Sequence, residues 1–288
     1  MRLRSLLFTP GDRPDRMLKA LESGADAVIL DLEDAVSPER KPEARRHAAE
    51  LLASAGRPAR VFVRINPLQG PEADRDLAAV LEGAPDGLVL PKSESAQSVS
   101  ALQARVSAHG GRLPPVLPIA TETPAAVFGL GTYRAVAPLL CGLTWGAEDL
   151  PAAIGAATSR EPDGGYSAPY EMVRSLTLFG AHAAGVSPID TVFPAFRDVA
   201  GLADYAARAR RDGFRGMMAI HPAQVPAINA AFAPSAAEID WARRVLAAFA
   251  AAAGAGAVNL DGAMLDAPHR KQAERILEEA QEPGAAKP

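Results

Sequence analysis

With 288 residues, a net charge of −4 and 48% apolar residues, the chain has the composition of an ordinary globular protein, long enough for one large α/β barrel or two smaller domains. A mildly acidic balance, with no clustered basic tract and no aromatic-rich reading string, excludes electrostatic attraction to nucleic acid or anionic lipid. No apolar stretch is long enough to span a bilayer, and the single cysteine, Cys141, excludes an intramolecular disulfide.

From the N-terminus, apolar run and helical spacing alternate. A strand is predicted at Leu3 to Phe8; Pro10, Gly11 and Asp12 then end the run before it can act as a signal peptide, so the cytoplasm is the expected compartment. A helix follows at Arg13 to Glu22, then a strand at Ala27 to Leu32, a helix at Pro42 to Ala53, and strands at Arg60 to Ile65 and Gly87 to Leu90. Next come a helix at Ser95 to Ser107 and strands at Val116 to Ala120 and Leu139 to Trp145, the latter with Cys141 as a small core residue. A helix at Tyr170 to Ala184, a strand at Ile189 to Phe193, a helix at Val199 to Arg211 and a strand at Arg215 to Ile220 complete eight repeats. Beyond them stand a long Ala-rich helix at Ser235 to Ala253, a flexible link at Gly254 to Gly262 and a short amphipathic helix at Ala267 to Ala280.

Strand then helix, eight times over, is the pattern of a parallel sheet closed into a (β/α)8 TIM barrel, with a doubly wound sheet as the alternative. Polar residues gather where most of the strands end: Asp31, Glu33 and Asp34, then Arg64 and Asn66, Lys92, Glu122, and Glu148 with Asp149. A barrel builds its active site at that rim, whereas an open sheet collects ligands at one switch point. The expected division is a catalytic barrel over residues 1–232 and a C-terminal helical extension and lid over 233–288.

Glu122 in PIATETP and Asp149 in TWGAEDL would point into one mouth, and two carboxylates held together repel unless a proton or a cation neutralises them. Hard oxygen ligands, with no thiolate available and no paired histidines, favour Mg2+ or Mn2+ over Zn2+. Each could instead cap the helix it precedes. Glu33 and Asp34 would accept hydrogen bonds from metal-bound waters, with capping as the alternative for Asp34. Arg64 could meet a substrate carboxylate or a developing enolate oxygen, or form a structural ion pair. Lys92 could form a Schiff base with a carbonyl, or serve the carboxylates as a counter-charge. His221 reads as a packed strand-end residue, and a nucleophile elbow, a P-loop and a Rossmann fingerprint are absent.

The strings LLFTPGDRPDRMLKAL, ADAVILDLEDAVSPERKPEAR, VFVRIN, VLPKSES, IATETPAAV, WGAEDL and GMMAIHPAQV occur in one order along nearly the whole chain. Together they resemble the HpcH/HpaI aldolase and citrate lyase superfamily, in its citrate lyase beta-subunit-like branch of CoA ester lyases. The resemblance implies Mg2+ held by Glu122 and Asp149, Arg64 beside the acid or thioester group, and Arg16 and Lys19 meeting the phosphates of coenzyme A. It also implies Asp266, in a string like the family's lid motif, as the general acid/base of a neighbouring subunit, although N-capping of the following helix is the plainer role. A homo-oligomer, trimer or hexamer, follows. Trp145 stands where Phe is usual and Met217 where Lys is frequent, which bears on substrate size. The expected reaction is cleavage or condensation of a carboxylated 3-hydroxyacyl-CoA, with an acyl-CoA and a keto acid as partners. An aldolase on free hydroxy-keto acids and a non-catalytic CoA-binding subunit are the rivals.

Overall fold

In the computed structural model, which describes residues 1–252 and 254–281, eight short strands run parallel. They are β1 (Ser5–Pro10), β2 (Ala27–Asp31), β3 (Arg60–Arg64), β4 (Gly87–Leu90), β5 (Val116–Pro118), β6 (Gly142–Thr144), β7 (Ser187–Asp190) and β8 (Gly216–Ala219). Their order is β5-β4-β3-β2-β1-β8-β7-β6. The remaining seam, between β5 and β6, is closed by Cys141 N–H donating to Val116 O at 3.0 Å and Ala120 N–H donating to Thr144 O at 2.9 Å. Closure leaves no free sheet edge, so the fold is a TIM barrel and the doubly wound alternative falls away.

The strands are buried on both faces, which is why they read as continuous apolar runs rather than alternating ones. Leu6, Ala27, Ile29, Phe62, Val89, Leu117, Ile189 and Met218 form one packed cluster, with Cys141 against it. Gly87 has to be glycine there, because a Cβ would stand 2.6 Å from the Phe62 ring. Met217, next to Met218 in β8, is fully buried.

The helices are α1 (Pro14–Leu21), α2 (Lys41–Ala53), α3 (Glu72–Val80), α4 (Ala96–Ala108), α5 (Pro124–Gly129), α6 (Asp149–Ile154), α7 (Ala168–Ala184), α8 (Val199–Asp212) and α9 (Val225–Ala231). Ser95 caps α4 by accepting from Gln97 N–H, and Gly185 and Gly213 end α7 and α8 in the left-handed region that glycine adopts without strain. The helices α5 and α6, six residues each, carry too few turns to show an apolar period, and the sequence reading names neither them nor α3.

The chain divides into two compact units, one spanning Leu3–Ala231 and one that begins at Phe232. The second contains α10 (Ala236–Ala251), β9 (Ala257–Leu260), β10 (Ala263–Asp266) and α11 (Ala267–Gln281). The flexible link expected at Gly254 to Gly262 is wrong over most of its length: β9 and β10 pair as an antiparallel hairpin. Asp261 (φ 53°) and Gly262 (φ 82°) both take positive φ at its tip, as a two-residue Asp-Gly turn requires. Val258 and Leu265 then pack with Ala242, Val245, Ala273 and Ile276 into a small separate core. The expected helix end at Ala253 and the last residues of the extension, 282–288, lie outside the described residues. No helix among the described residues is long and apolar enough to cross a membrane.

Candidate active site at the carboxyl ends of the strands

The last residues of β2 and β3 stand side by side in register, Asp31 beside Arg64. Asp31 receives the guanidinium on both oxygens, from Nε at 2.7 Å and from Nη2 at 2.6 Å. The same oxygens accept from the N–H groups of Glu33 and Ala35, so Asp31 also shapes the turn that carries the other two acids. Arg64 Nη1 lies 2.9 Å from Glu33 Oε2 and 3.9 Å from Asp34, and its plane sits 4.9 Å from the Phe8 ring centroid. Burial opposes the charge of Arg64, but the bonds and charges of Asp31, then of Glu33 and Asp34, carry its pKa above the ordinary value. The structural ion pair is therefore present, and Asp31 takes only two of the five guanidinium N–H groups.

Beneath this turn Lys41 of α2 donates to Leu32 O, Glu33 O and Asn66 Oδ1 at 2.7 to 2.9 Å. Asn66 is in turn held by fully buried Asp76, which Arg45 neutralises. Glu33 is itself buried, which raises its pKa against the pull of Arg64 and Lys92. Asp34 is exposed.

Lys92, two residues past β4, is one of three non-glycine residues at positive φ among the described residues, at 50°. That geometry costs on the order of 1 kcal/mol and is kept where surrounding contacts demand it. Here its backbone N–H donates to Glu122 Oε2, while its Nζ lies 2.9 Å from Glu33 Oε1 and 3.5 Å from Asp149 Oδ1. One ammonium thus gathers acids from the ends of β2 and β6. Burial lowers its pKa, but the Glu33 bond and the charges of Glu33, Glu122 and Asp149 raise it further, so it stays a cation.

Glu122 follows β5 and is 3% exposed. Burial pushes its carboxyl up to about 8; the Lys92 N–H opposes this, and the charges of Asp149 and Glu33 add to it. It does not cap α5, because Thr123 does, by accepting from Ala126 N–H. Asp149 opens α6 without a cap bond from Glu148, which is exposed. Between the two acids runs Gly146, where a Cβ would stand 2.6 Å from Glu122 Cγ. Among the described residues no three His, Cys, Asp or Glu side chains are disposed to hold a metal ion by themselves.

The other expected residues lie elsewhere. Arg16 and Lys19 are on the exposed side of α1. Asp266 ends β10 in the C-terminal unit, its Oδ1 2.6 Å from His269 Nδ1. His221 is exposed, not packed: it caps a 3-10 turn through Ala223 N–H and stacks on Phe196. Sequence reasoning noted Asp31 without giving it a role, and missed Lys41 and Asp190. For Asp31, the signal available was an acid at the last strand position beside an arginine at the next.

A family profile described as HpcH/HpaI aldolase/citrate lyase matches residues 4–222, and one described as a C-C bond lyase of the TIM-barrel fold matches residues 176–284. The citrate lyase subunit beta-like protein of Mycobacterium tuberculosis is 39% identical over 276 residues, covering 96% of this chain and 95% of its own. The L-malyl-CoA/beta-methylmalyl-CoA lyase of Rhodobacter capsulatus is 33% identical over 302 residues, covering 96% and 94%. The crystal structure of CitE from Mycobacterium tuberculosis, in complex with magnesium, acetoacetate and coenzyme A, superposes with a TM-score of 0.81 at 38% identity, over 98% of this chain and 99% of that one.

Proposed function

Since the chain belongs to the HpcH/HpaI aldolase/citrate lyase family, we propose that it is a carbon–carbon lyase acting reversibly on a carboxylated 3-hydroxyacyl-CoA such as malyl-CoA or citramalyl-CoA. The products are an acyl-CoA and a keto acid.

One observation carries this reading: Glu122 is buried, and burial, reinforced by the charges of Asp149 and Glu33, pushes its carboxyl up to about 8. A site that makes a carboxylate so costly to ionise fits a cation, and two hard oxygen donors suit Mg2+, or Mn2+ in its place, with waters and substrate oxygens completing the shell. Glu122 and Asp149 would hold the ion, with Glu33 and Asp34 accepting from its waters. Bound there, it would supply positive charge to the oxygens of the keto-acid half.

The protein's own groups do the rest. Arg64, fixed by Asp31, has N–H donors left for an oxygen on which charge develops, and a donor held in place needs no reorganisation as the bond breaks. In the cleavage direction the hydroxyl passes its proton to Asp266, the bond between the carbinol carbon and the thioester α-carbon breaks, and its electron pair passes into the thioester as an enolate. That α-carbon must then receive a proton, a task assigned to Asp266. Arg16 and Lys19, unobstructed on α1, are assigned to the phosphates of coenzyme A. The working unit is a homo-oligomer, a trimer or hexamer, in the cytoplasm, with residues 233–288 as the lid.

Purified protein with Mg2+ should release keto acid from malyl-CoA or citramalyl-CoA and bind acetyl-CoA in a calorimetric titration. Turnover of free hydroxy-keto acids alone would replace this reading with that of a CoA-independent aldolase. CoA binding without turnover of either class would leave a binding subunit.

A further inference from the structure

Directly after β6 the Trp145 indole is fully buried. Its Nε1 donates to Asp190 Oδ1, at the end of β7, at 2.6 Å, and its ring meets Tyr166 edge-on at 5.0 Å. Asp190 is also fully buried, and its two oxygens have separate duties. Oδ1 takes the indole, Thr191 N–H and Tyr205 OH; Oδ2 takes Arg174 Nε and Nη2 at 3.0 and 2.8 Å. Arg174 therefore gives this buried carboxylate an opposite charge at hydrogen-bond distance. A second acid, Asp212 of α8, holds the far side of the guanidinium at 2.7 Å.

Such an indole is clamped at both ends, by an ion-paired carboxylate and by an aromatic face, so the Cα that carries it cannot drift. The next residue is Gly146, whose N–H donates to Thr121 Oγ1 at 3.1 Å and whose Cα has no room for a Cβ against Glu122. Trp145→Phe would fill most of the space but remove the Nε1–H that ties the ring to Asp190.

We propose that Asp190 is a positioning residue for the acidic mouth: through Trp145 it presses the Gly146 turn against Glu122 and sets the carboxylate that the proposed function assigns to the metal. This rests on that function for its metal readout alone, since the pinning of the turn can be measured without any metal.

Asp190→Asn strips Arg174 of a buried counter-charge and endangers the fold, so Trp145→Phe is the decisive variant. Val106→Ala, which removes packing at a fully buried position on α4, is the control for general loss of stability. Two measurements are made on full-length protein: amide exchange over residues 145–150, and Mg2+ affinity by calorimetry. Trp145→Phe should speed exchange at Gly146 and weaken Mg2+ binding by about tenfold, the scale for losing an outer support of a ligand. Val106→Ala should change neither. Unaltered exchange at Gly146 in Trp145→Phe, the same increase in Val106→Ala, or unaltered Mg2+ affinity while the wild type binds the ion would each overturn the proposal. A wild type without Mg2+ affinity would remove the metal assignment instead, and the exchange comparison would still decide whether Asp190 and Trp145 pin the turn.

Discussion

Lys92 is tied to Glu122 through its main chain and to Glu33 through its side chain: at φ 50° its N–H reaches Glu122 Oε2 while its Nζ lies 2.9 Å from Glu33 Oε1. An ammonium so paired is a poor nucleophile, because it must lose its proton before it can attack a carbonyl.

Sodium borohydride added with a keto acid should therefore not inactivate the enzyme, and EDTA should. Irreversible inactivation with mass added at Lys92, together with indifference to EDTA, would establish imine chemistry in place of the metal reading.

Glu122 sets a pH dependence whose sign is definite. Its folded pKa of about 8 lies above the ordinary 4.5, so the folded chain holds a proton that the unfolded chain releases. Its contribution to stability is fully present below about pH 4.5 and is lost as pH rises towards about 8. In divalent-free buffer the melting temperature of wild type should fall across that range, and Glu122→Gln should fall less. Equal slopes would show that Glu122 ionises without penalty.

Glu122→Gln and Asp149→Asn each remove a negative donor at little cost in volume. Both should lose Mg2+ affinity and turnover by about a hundredfold or more while keeping the wild-type circular dichroism spectrum. Wild-type activity in both would dissolve the site.

Gly146→Ala tests the contact between that turn and Glu122. The new Cβ would stand 2.6 Å from Glu122 Cγ and 3.2 Å from Ile119 Cγ2, and Gly146 is not a positive-φ glycine, so only side-chain crowding is introduced. Displacing a reacting or ligating group by about 1 Å costs on the order of a hundredfold in rate, and that loss is expected in kcat/KM. An active Gly146→Ala enzyme would mean that Glu122 has freedom the packing denies it.

Asp266→Asn should keep Mg2+ and acetyl-CoA affinity and lose turnover, because the group that takes the hydroxyl proton and returns it to the α-carbon is gone while the binding groups remain. Mixed oligomers of Asp266→Asn and Glu122→Gln should regain part of the activity if lid and barrel belong to different subunits. Full activity in Asp266→Asn would reduce the residue to its contact with His269.

Much of this molecule is written locally. Eight apolar runs ending in polar residues are a property of neighbouring positions, since strands buried on both faces must be apolar throughout and a barrel places its chemistry where they end. Asp31, Arg64, Lys92, Glu122 and Asp149 each stand at such a boundary, so their candidacy was legible. The hairpin β9–β10 was legible too, in Leu260-Asp261-Gly262-Ala263, but its glycine-rich approach obscured the turn.

What the sequence by itself determined is the class of fold, the rim where the chemistry belongs and the kind of residue found there, because these follow from hydrophobic period and turn chemistry within a few residues. What only the tertiary structure decided is who meets whom: that Arg64 is fixed by Asp31, that Lys92 gathers three acids, and that Trp145 donates to Asp190. Those pairings join residues about 30 to 60 positions apart. Their energies depend on distances and burial that exist only once the barrel has closed, and no local pattern in the chain records them.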